Sequence, residues 1–130
     1  MFNFSMSELI RSDVASKNGI NNTPNPSSLD NLFDLIVYCL QPVRNAIDKP
    51  MIITSGYRCA KLNKLVGGTK NSHHLIGCAA DFIVAGLNPS EIINIILKSD
   101  IRFNQLINEY DKWVHISYIK DKNKNQVIFL

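Results

Sequence analysis

The chain has no apolar run of membrane-spanning length. Its opening residues, MFNFSMSELIRSD, form too short and too polar a stretch for a secretory leader. The expectation is synthesis in the cytoplasm without a signal peptide, with some other route of delivery if the target lies outside. Internal repeats and low-complexity tracts are absent, which excludes solenoids and long disordered linkers. The His-Glu-x-x-His pattern of a helical zinc site is missing as well. Basic stripes with interleaved aromatics are lacking and the net charge is only +3, which argues against a nucleic-acid partner. That mild charge is compatible with weak attraction to an anionic polymer. Cysteine is sparse: Cys39, Cys59 and Cys78 cannot all pair within one chain and have no zinc-knuckle spacing. All three read as reduced thiols, Cys39 as a small buried hydrophobe in an apolar stripe.

What is present fits one soluble globular unit. At 130 residues with 45% hydrophobic content, the chain is long enough to bury a core, so residues 1–130 are expected to form a single domain and a monomer. Ser5 or Ser7 can cap a short helix running to about Lys17 and ended by Asn18-Gly19. Pro24 and Pro26 make the next segment a turn-rich connector. From Ser27 or Ser28 to Ile47, Leu29, Leu32, Phe33, Ile36, Leu40, Val43 and Ile47 recur at helical spacing and read as one core-facing stripe, which Pro42 should kink or split. MIITS after Pro50 and Ala79–Val84 read as strands, and Cys59–Val66 as a helical turn ended by Gly67-Gly68. Asn88-Pro89-Ser90 opens another helix with Ile92, Ile93, Ile96 and Leu97 buried. Gln105–Asn108, Trp113–Tyr118 and Gln126–Phe129 follow as short strands separated by polar turns. Helices first and an antiparallel meander last give an α+β fold, N-terminal helices packed on a small antiparallel sheet.

The chemistry-bearing residues cluster in TSGYRCAKLNKLVGGTKNSHHLIGCAAD, Thr54 to Asp81, and in WVHIS at Trp113–Ser117. Strand alternation puts Trp113, His115 and Ser117 on one face and Val114, Ile116 and Tyr118 on the other. Around Asp81 it groups Ala79, Asp81 and Ile83 against Ala80, Phe82 and Val84. His74, Asp81 and His115 can therefore face one groove while the opposite faces pack. Two imidazoles and a carboxylate suit a zinc ion that keeps a fourth position for water or substrate. A carboxylate among apolar neighbours also needs a cation or hydrogen-bond partners. By spacing alone the set is only suggestive, since a His-Asp pair is more often structural. Arg58 is a fork donor suited to a carboxylate or an oxyanion, or equally a surface ion-pairing residue. Glu109 and Asp111 are carboxylates available as a base just before the His115 strand, and Trp113 reads first as a packing residue.

These residues, SGYRCAKLNKLVGG, then SHHLIGCAAD, then EYDKWVHIS, resemble the M15 peptidase family, the zinc D-Ala-D-Ala carboxypeptidase and endolysin-type group that shares its fold with the hedgehog signalling domain. The likeness covers nearly the whole chain and is nearest in style to a small phage- and bacteria-associated branch. It implies zinc held by His74, Asp81 and His115, with His73 at a variable position. Arg58 then falls where the family places an arginine near the substrate carbonyl or terminal carboxylate, and Ser72, Asn63 and Trp113 support the site. Family members place the base either three positions before the last His, where this chain has Lys112, or six before it, at Glu109. Glu109 is the choice here and Asp111 the alternative. The implied activity is zinc-dependent hydrolysis of peptidoglycan stem peptides or cross-links, as a D,D-carboxypeptidase or an L,D- or D,D-endopeptidase. Two other readings stay open at this point: a wall-binding or interaction module that keeps zinc for its fold, and a metal-free phage structural protein.

Overall fold

Short polar side chains set the helix starts. In the computed structural model, which describes residues 2–130, Ser5 and Glu8 cap α1 (Met6–Ile10) reciprocally: the Ser5 hydroxyl accepts the Glu8 N–H and the Glu8 carboxylate accepts that of Ser5. The single helix expected to reach Lys17 is instead two. Ser12 accepts the Ala15 N–H at 3.1 Å and starts α2 (Asp13–Lys17), turning the chain at Arg11. Likewise α3 (Pro26–Leu35) is capped by Asn25 rather than Ser27 or Ser28, and Pro26 occupies a first-turn position where no amide is needed.

The helix continues through a π-helical segment, Ile36–Leu40, into α4 (Gln41–Ile47). Pro42 thus does not break it. The turn before the proline widens instead, with the Gln41 N–H bonded to the Ile36 carbonyl. The buried stripe is Leu32, Leu35, Ile36, Cys39, Leu40, Val43 and Ile47, while Phe33 is exposed and Leu29 only partly covered. Phe33 follows Leu32 by one residue, about 100° round the helix, which carries it off the packed face.

Five strands are found among the described residues: β1 (Ile52–Ser55), β2 (Ala79–Ile83), β3 (Gln105–Glu109), β4 (Trp113–Ser117) and β5 (Gln126–Phe129). Their order is β1-β2-β4-β3-β5. All pairs are antiparallel except β3–β5, so the sheet is mixed and the expected antiparallel meander is corrected at its last strand. The inner side of β3 is already taken by β4. Asn125 turns with positive φ and exchanges bonds with Phe103 at the outer side, laying β5 alongside β3 in the same direction.

Between β1 and β2 lie α5 (Ala60–Leu65) and a 3₁₀ turn (His73–Ile76), and α6 (Pro89–Leu97) joins β2 to β3. The core sits between α3, α4 and α6 and one face of the sheet, where Ala80, Phe82, Leu106, Val114 and Ile116 are fully buried. Ile92, Ile93 and Ile96 of α6 join it, whereas Leu97 is exposed. The architecture is α+β, with α3, α4 and α6 on one face of the sheet and Asp81, His115 and Ser117 projecting from the other.

Candidate metal centre

Antiparallel register does the first part of the assembly: Asp81 on β2 lies directly opposite His115 on β4, so both side chains project from the same face. On the other side of β2 a bulge sets Ser55 against Asp81 and brings the β1 terminus over the same spot. His74 arrives from the 3₁₀ turn. The Ser72 hydroxyl accepts the His74 N–H at 3.2 Å, and the His74 carbonyl accepts the Arg58 N–H at 3.1 Å. These bonds tie the turn to the segment that follows β1.

The His74 Nδ1 lies 2.7 Å from the Gly56 carbonyl, which it can bond only as an N–H donor. That leaves Nε2 facing Asp81 Oδ1 from 3.3 Å: as an N–H it donates to that carboxylate, and as a bare nitrogen it offers a lone pair to a metal. His115 turns Nδ1 to the same oxygen from 3.0 Å, and the two imidazole centroids are 5.1 Å apart, edge to face. One ligand atom from each of the three residues falls within 4.8 Å of the others, and all three residues are buried. Burial acts to raise the Asp81 pKa, but hydrogen bonds and charge from His115 and His74 outweigh it and hold the carboxyl well below the usual range. An ionised oxygen and two imidazole nitrogens converging on one point, one imidazole fixed by a carbonyl behind it, fit a divalent transition metal.

Arg58 takes the other side of the aspartate. Its Nη2 is 3.5 Å from Asp81 Oδ2, while Nε donates to Ser55 Oγ and Nη1 to Asn63 Oδ1, both at 3.1 Å. Burial lowers its pKa, opposed by Asp81 and Glu109, and guanidinium stays a cation throughout. Asn63 is itself held by donating to the Thr69 carbonyl. Gly68 lies so close to the Asn63 and Arg58 side chains that a Cβ there would collide with both, which accounts for the second glycine of the Gly-Gly turn.

The cluster forms the floor of a groove. On one side a cavity of about 640 Å³ is bordered by His73, His74, Asp81, His115, Trp113 and Glu109. On the other, a cavity of about 400 Å³ runs between β1 and α2, and Arg58, Val66, Asp81 and Trp113 border both. Glu109 and Asp111 are separated here. Glu109 shares the strand face of Gln105 and Ile107 and borders the larger cavity. Asp111, at positive φ in the β3–β4 turn, folds back to Asn108, whose amide reaches Ser90 at the start of α6. Trp113 is half-buried between the cavities, and its indole N–H has no partner.

Three contributors to the site carried no sequence signal read above. The Gly56 carbonyl is a backbone group, whose position only the fold supplies. Ser55 stands three residues before Arg58, a spacing that is uninformative in a strand. Asn22, buried in the connector, donates to the Ile10 and Tyr57 carbonyls and accepts the Cys59 N–H, pinning α1 to the loop that carries Arg58.

Three donors with an open cavity beside them would leave a bound ion room for water or substrate, whereas a closed structural site normally has four protein ligands. The family model described as Peptidase M15 matches residues 2–117, and the chain belongs to that family. A stretch of 43 residues is 46% identical to a protein of Streptomyces albus G named zinc D-Ala-D-Ala carboxypeptidase. That match spans 32% of this chain and 17% of the Streptomyces protein, so the chain is similar to only a small part of that relative.

Proposed function

We propose that this chain is a zinc-dependent peptidase that hydrolyses peptide bonds of peptidoglycan stem peptides or cross-links, as a D,D-carboxypeptidase or an L,D- or D,D-endopeptidase. The observation that carries this reading is the convergence of His74, Asp81 and His115 beside an open groove that Glu109 also borders. The zinc and the wall substrate are supported by membership of the peptidase M15 family and by the name of the Streptomyces relative.

His74, Asp81 and His115 would hold the ion. When bound, zinc supplies Lewis acidity, which lowers the pKa of water towards roughly 7 and polarises a scissile carbonyl. Glu109 is the base: its carboxylate takes a proton from the attacking water and returns it to the leaving amine nitrogen. Asp111 is the weaker candidate because its carboxylate is engaged by Asn108. Arg58 reaches Asp81 Oδ2 and orients it, and its positive charge at the groove wall favours the oxyanion that develops as the carbonyl is attacked. Ser72 and Asn63 position His74 and Arg58 through the hydrogen bonds described above, and Trp113 walls the groove.

Replacing Glu109 with Gln tests the assignment. Elemental analysis should find the same zinc content in E109Q as in the parent chain, while turnover of purified muropeptides, followed by mass spectrometry, falls by about 10²–10⁴-fold. Undiminished hydrolysis would remove Glu109 from its role. Released D-Ala marks a carboxypeptidase, and freed stems or shortened cross-bridges an endopeptidase. A parent chain that holds zinc and cleaves none of these would instead be a binding module.

A further inference from the structure

The strip from Gly56 to Cys59 is fastened at every residue, and from two sides. Toward the cluster, the Gly56 carbonyl accepts the His74 Nδ1–H at 2.7 Å, and the Arg58 N–H donates to the His74 carbonyl at 3.1 Å. Away from it, the Tyr57 N–H donates to the Leu9 carbonyl at 2.7 Å, and both the Tyr57 carbonyl and the Cys59 N–H are bonded to Asn22. One short strip therefore orients the His74 ring, carries Arg58, and leans on α1 and the connector behind it.

The outer bonds meet at Asn22, which is 8% exposed. Its Nδ2 donates to the Ile10 carbonyl at 2.8 Å and to the Tyr57 carbonyl at 3.0 Å, and its Oδ1 accepts the Cys59 N–H at 2.8 Å. Two carbonyls and one N–H around a single side chain call for an amide, with its two donors and its acceptor; a carboxylate would set oxygen against oxygen twice. The neighbours turn Asn22 inward. On the solvent side Asn21 Oδ1 accepts the Thr23 N–H at 3.0 Å and its hydroxyl at 2.7 Å, leaving Asn22 and Pro24 buried. Between strip and helix there is no slack, because Gly56 packs so tightly on the Leu9 backbone that no side chain could fit between them. Any buried amide must be satisfied. What sets this one apart is where its bonds lead: to the residue next to the carbonyl that holds His74, and to the residue next to Arg58.

We propose that Asn22 is a positioning residue for the metal centre. By holding Tyr57 and Cys59 it fixes the Gly56 carbonyl, which keeps His74 an Nδ1–H donor with Nε2 toward Asp81, and it sets the backbone from which Arg58 reaches the same aspartate. Asn22 touches neither ion nor substrate; it acts through His74 and Arg58. Its part in hydrolysis rests on the zinc peptidase reading, whereas its hold on the His74 ring does not.

The test compares Asn22→Ala with two variants of the packed side, Asn88→Ala as a mild loss of stability and Ile96→Ala as a severe one. Neither residue borders the groove. All are measured at a temperature where each is fully folded. Zinc affinity, from competition with a chelating dye, should fall about tenfold in N22A, the lower end of what losing the support behind a ligand costs, and stay within about twofold of the parent in both controls. In the metal-free protein, the His74 Nδ1–H followed by ¹⁵N NMR should exchange with solvent about tenfold faster in N22A than in I96A. With zinc saturating, kcat on muropeptides should stay about tenfold below the parent value while KM moves less than about twofold, because Arg58 remains displaced after the ion is restored. N22D keeps the oxygen that accepts the Cys59 N–H and loses both donated bonds; it takes the place of N22A if that variant folds poorly, with the same outcomes expected. Zinc affinity or ring exchange matching that of I96A would reduce Asn22 to a stabiliser of the fold and overturn the inference. A parental kcat at saturating zinc would overturn the part given to Arg58. If the parent chain holds zinc and cleaves nothing, the peptidase reading fails by itself, and affinity and exchange still decide; if it holds no zinc, the ring exchange decides alone.

Discussion

The two faces of the central sheet are made from alternate residues of the same strands, yet they are held by different physics. On β2, Ala80 and Phe82 point into the helices and are fully buried among apolar neighbours. Asp81 between them points the other way and is held by two imidazoles and a guanidinium. The packed face is stabilised by area removed from water and suffers from any void. The groove face gathers like-purposed polar groups whose mutual attraction largely offsets the cost of burying them. Adjacent positions should therefore fail in opposite ways. Phe82→Ala should lower unfolding free energy by about 3–5 kcal/mol in denaturant titrations, with full zinc content retained in the folded fraction. Asp81→Asn should do the reverse. Zinc should disappear from elemental analysis, while the stability of the metal-free protein shifts by only about 1 kcal/mol, since an amide oxygen keeps a hydrogen bond as the buried charge is removed. A Phe82→Ala protein that folds but loses zinc would show that the faces are not independent.

The seam between α1 and the loop carrying Arg58 sharpens the contrast, because there a polar residue does structural work. Asn22 satisfies two carbonyls, one of them in a buried bond, and one amide at once. Asn22→Ala strands all three, and a loss of about 1–3 kcal/mol is expected by denaturant titration. The same substitution should speed amide exchange at Tyr57, whose N–H is bonded to Leu9 across this seam. Wild-type exchange at Tyr57 would mean that Gly56 and Leu9 pack well enough without the asparagine.

The packed face was the legible one. Helical spacing in the stretch ending at Ile47, and strand alternation in AADFIV and WVHISY, are direct consequences of burying one side of an element, and they placed most of the core. Phe33 and Leu97 are exposed although their spacing predicts burial, because apolar residues at the margin of a stripe look the same in sequence as those at its centre. The direction of β5 was illegible for another reason: it depends on which side of β3 is free, a tertiary fact. Local polar chemistry was read unevenly. Asn88 before Pro89 is legible as a helix start, whereas Ser12 and Asn25, which also cap helices, do not stand out from the polar residues around them. The cluster of His74, Asp81 and His115 lies between these extremes. Alternation put His115 and Asp81 on matching faces, but neither the register that sets them opposite one another nor the approach of His74 follows from spacing. Likeness to a family names the three residues but not that geometry, and the hydrogen bond from His74 to the Gly56 carbonyl has no sequence signal at all.

The smallest effect isolates the packed side from the groove. Asn88 opens α6 by accepting the Glu91 N–H at 2.9 Å, while the Glu91 carboxylate accepts the Asn88 N–H at 3.1 Å. The helix lies against the core face, and Asn88 borders neither arm of the groove. Asn88→Ala removes one cap bond and leaves the apolar contacts of Ile92, Ile93 and Ile96 in place. A loss of about 1 kcal/mol is expected. For a domain of this size that corresponds to a fall in Tm of about 3–6 °C. Zinc content and peptide turnover measured well below the new Tm should match the parent chain, because the sheet between α6 and the cluster does not need that cap to keep its register. A fall in turnover without a further fall in stability would place α6 in communication with the cluster through β3, and the separation of the two faces would have to be redrawn along that strand.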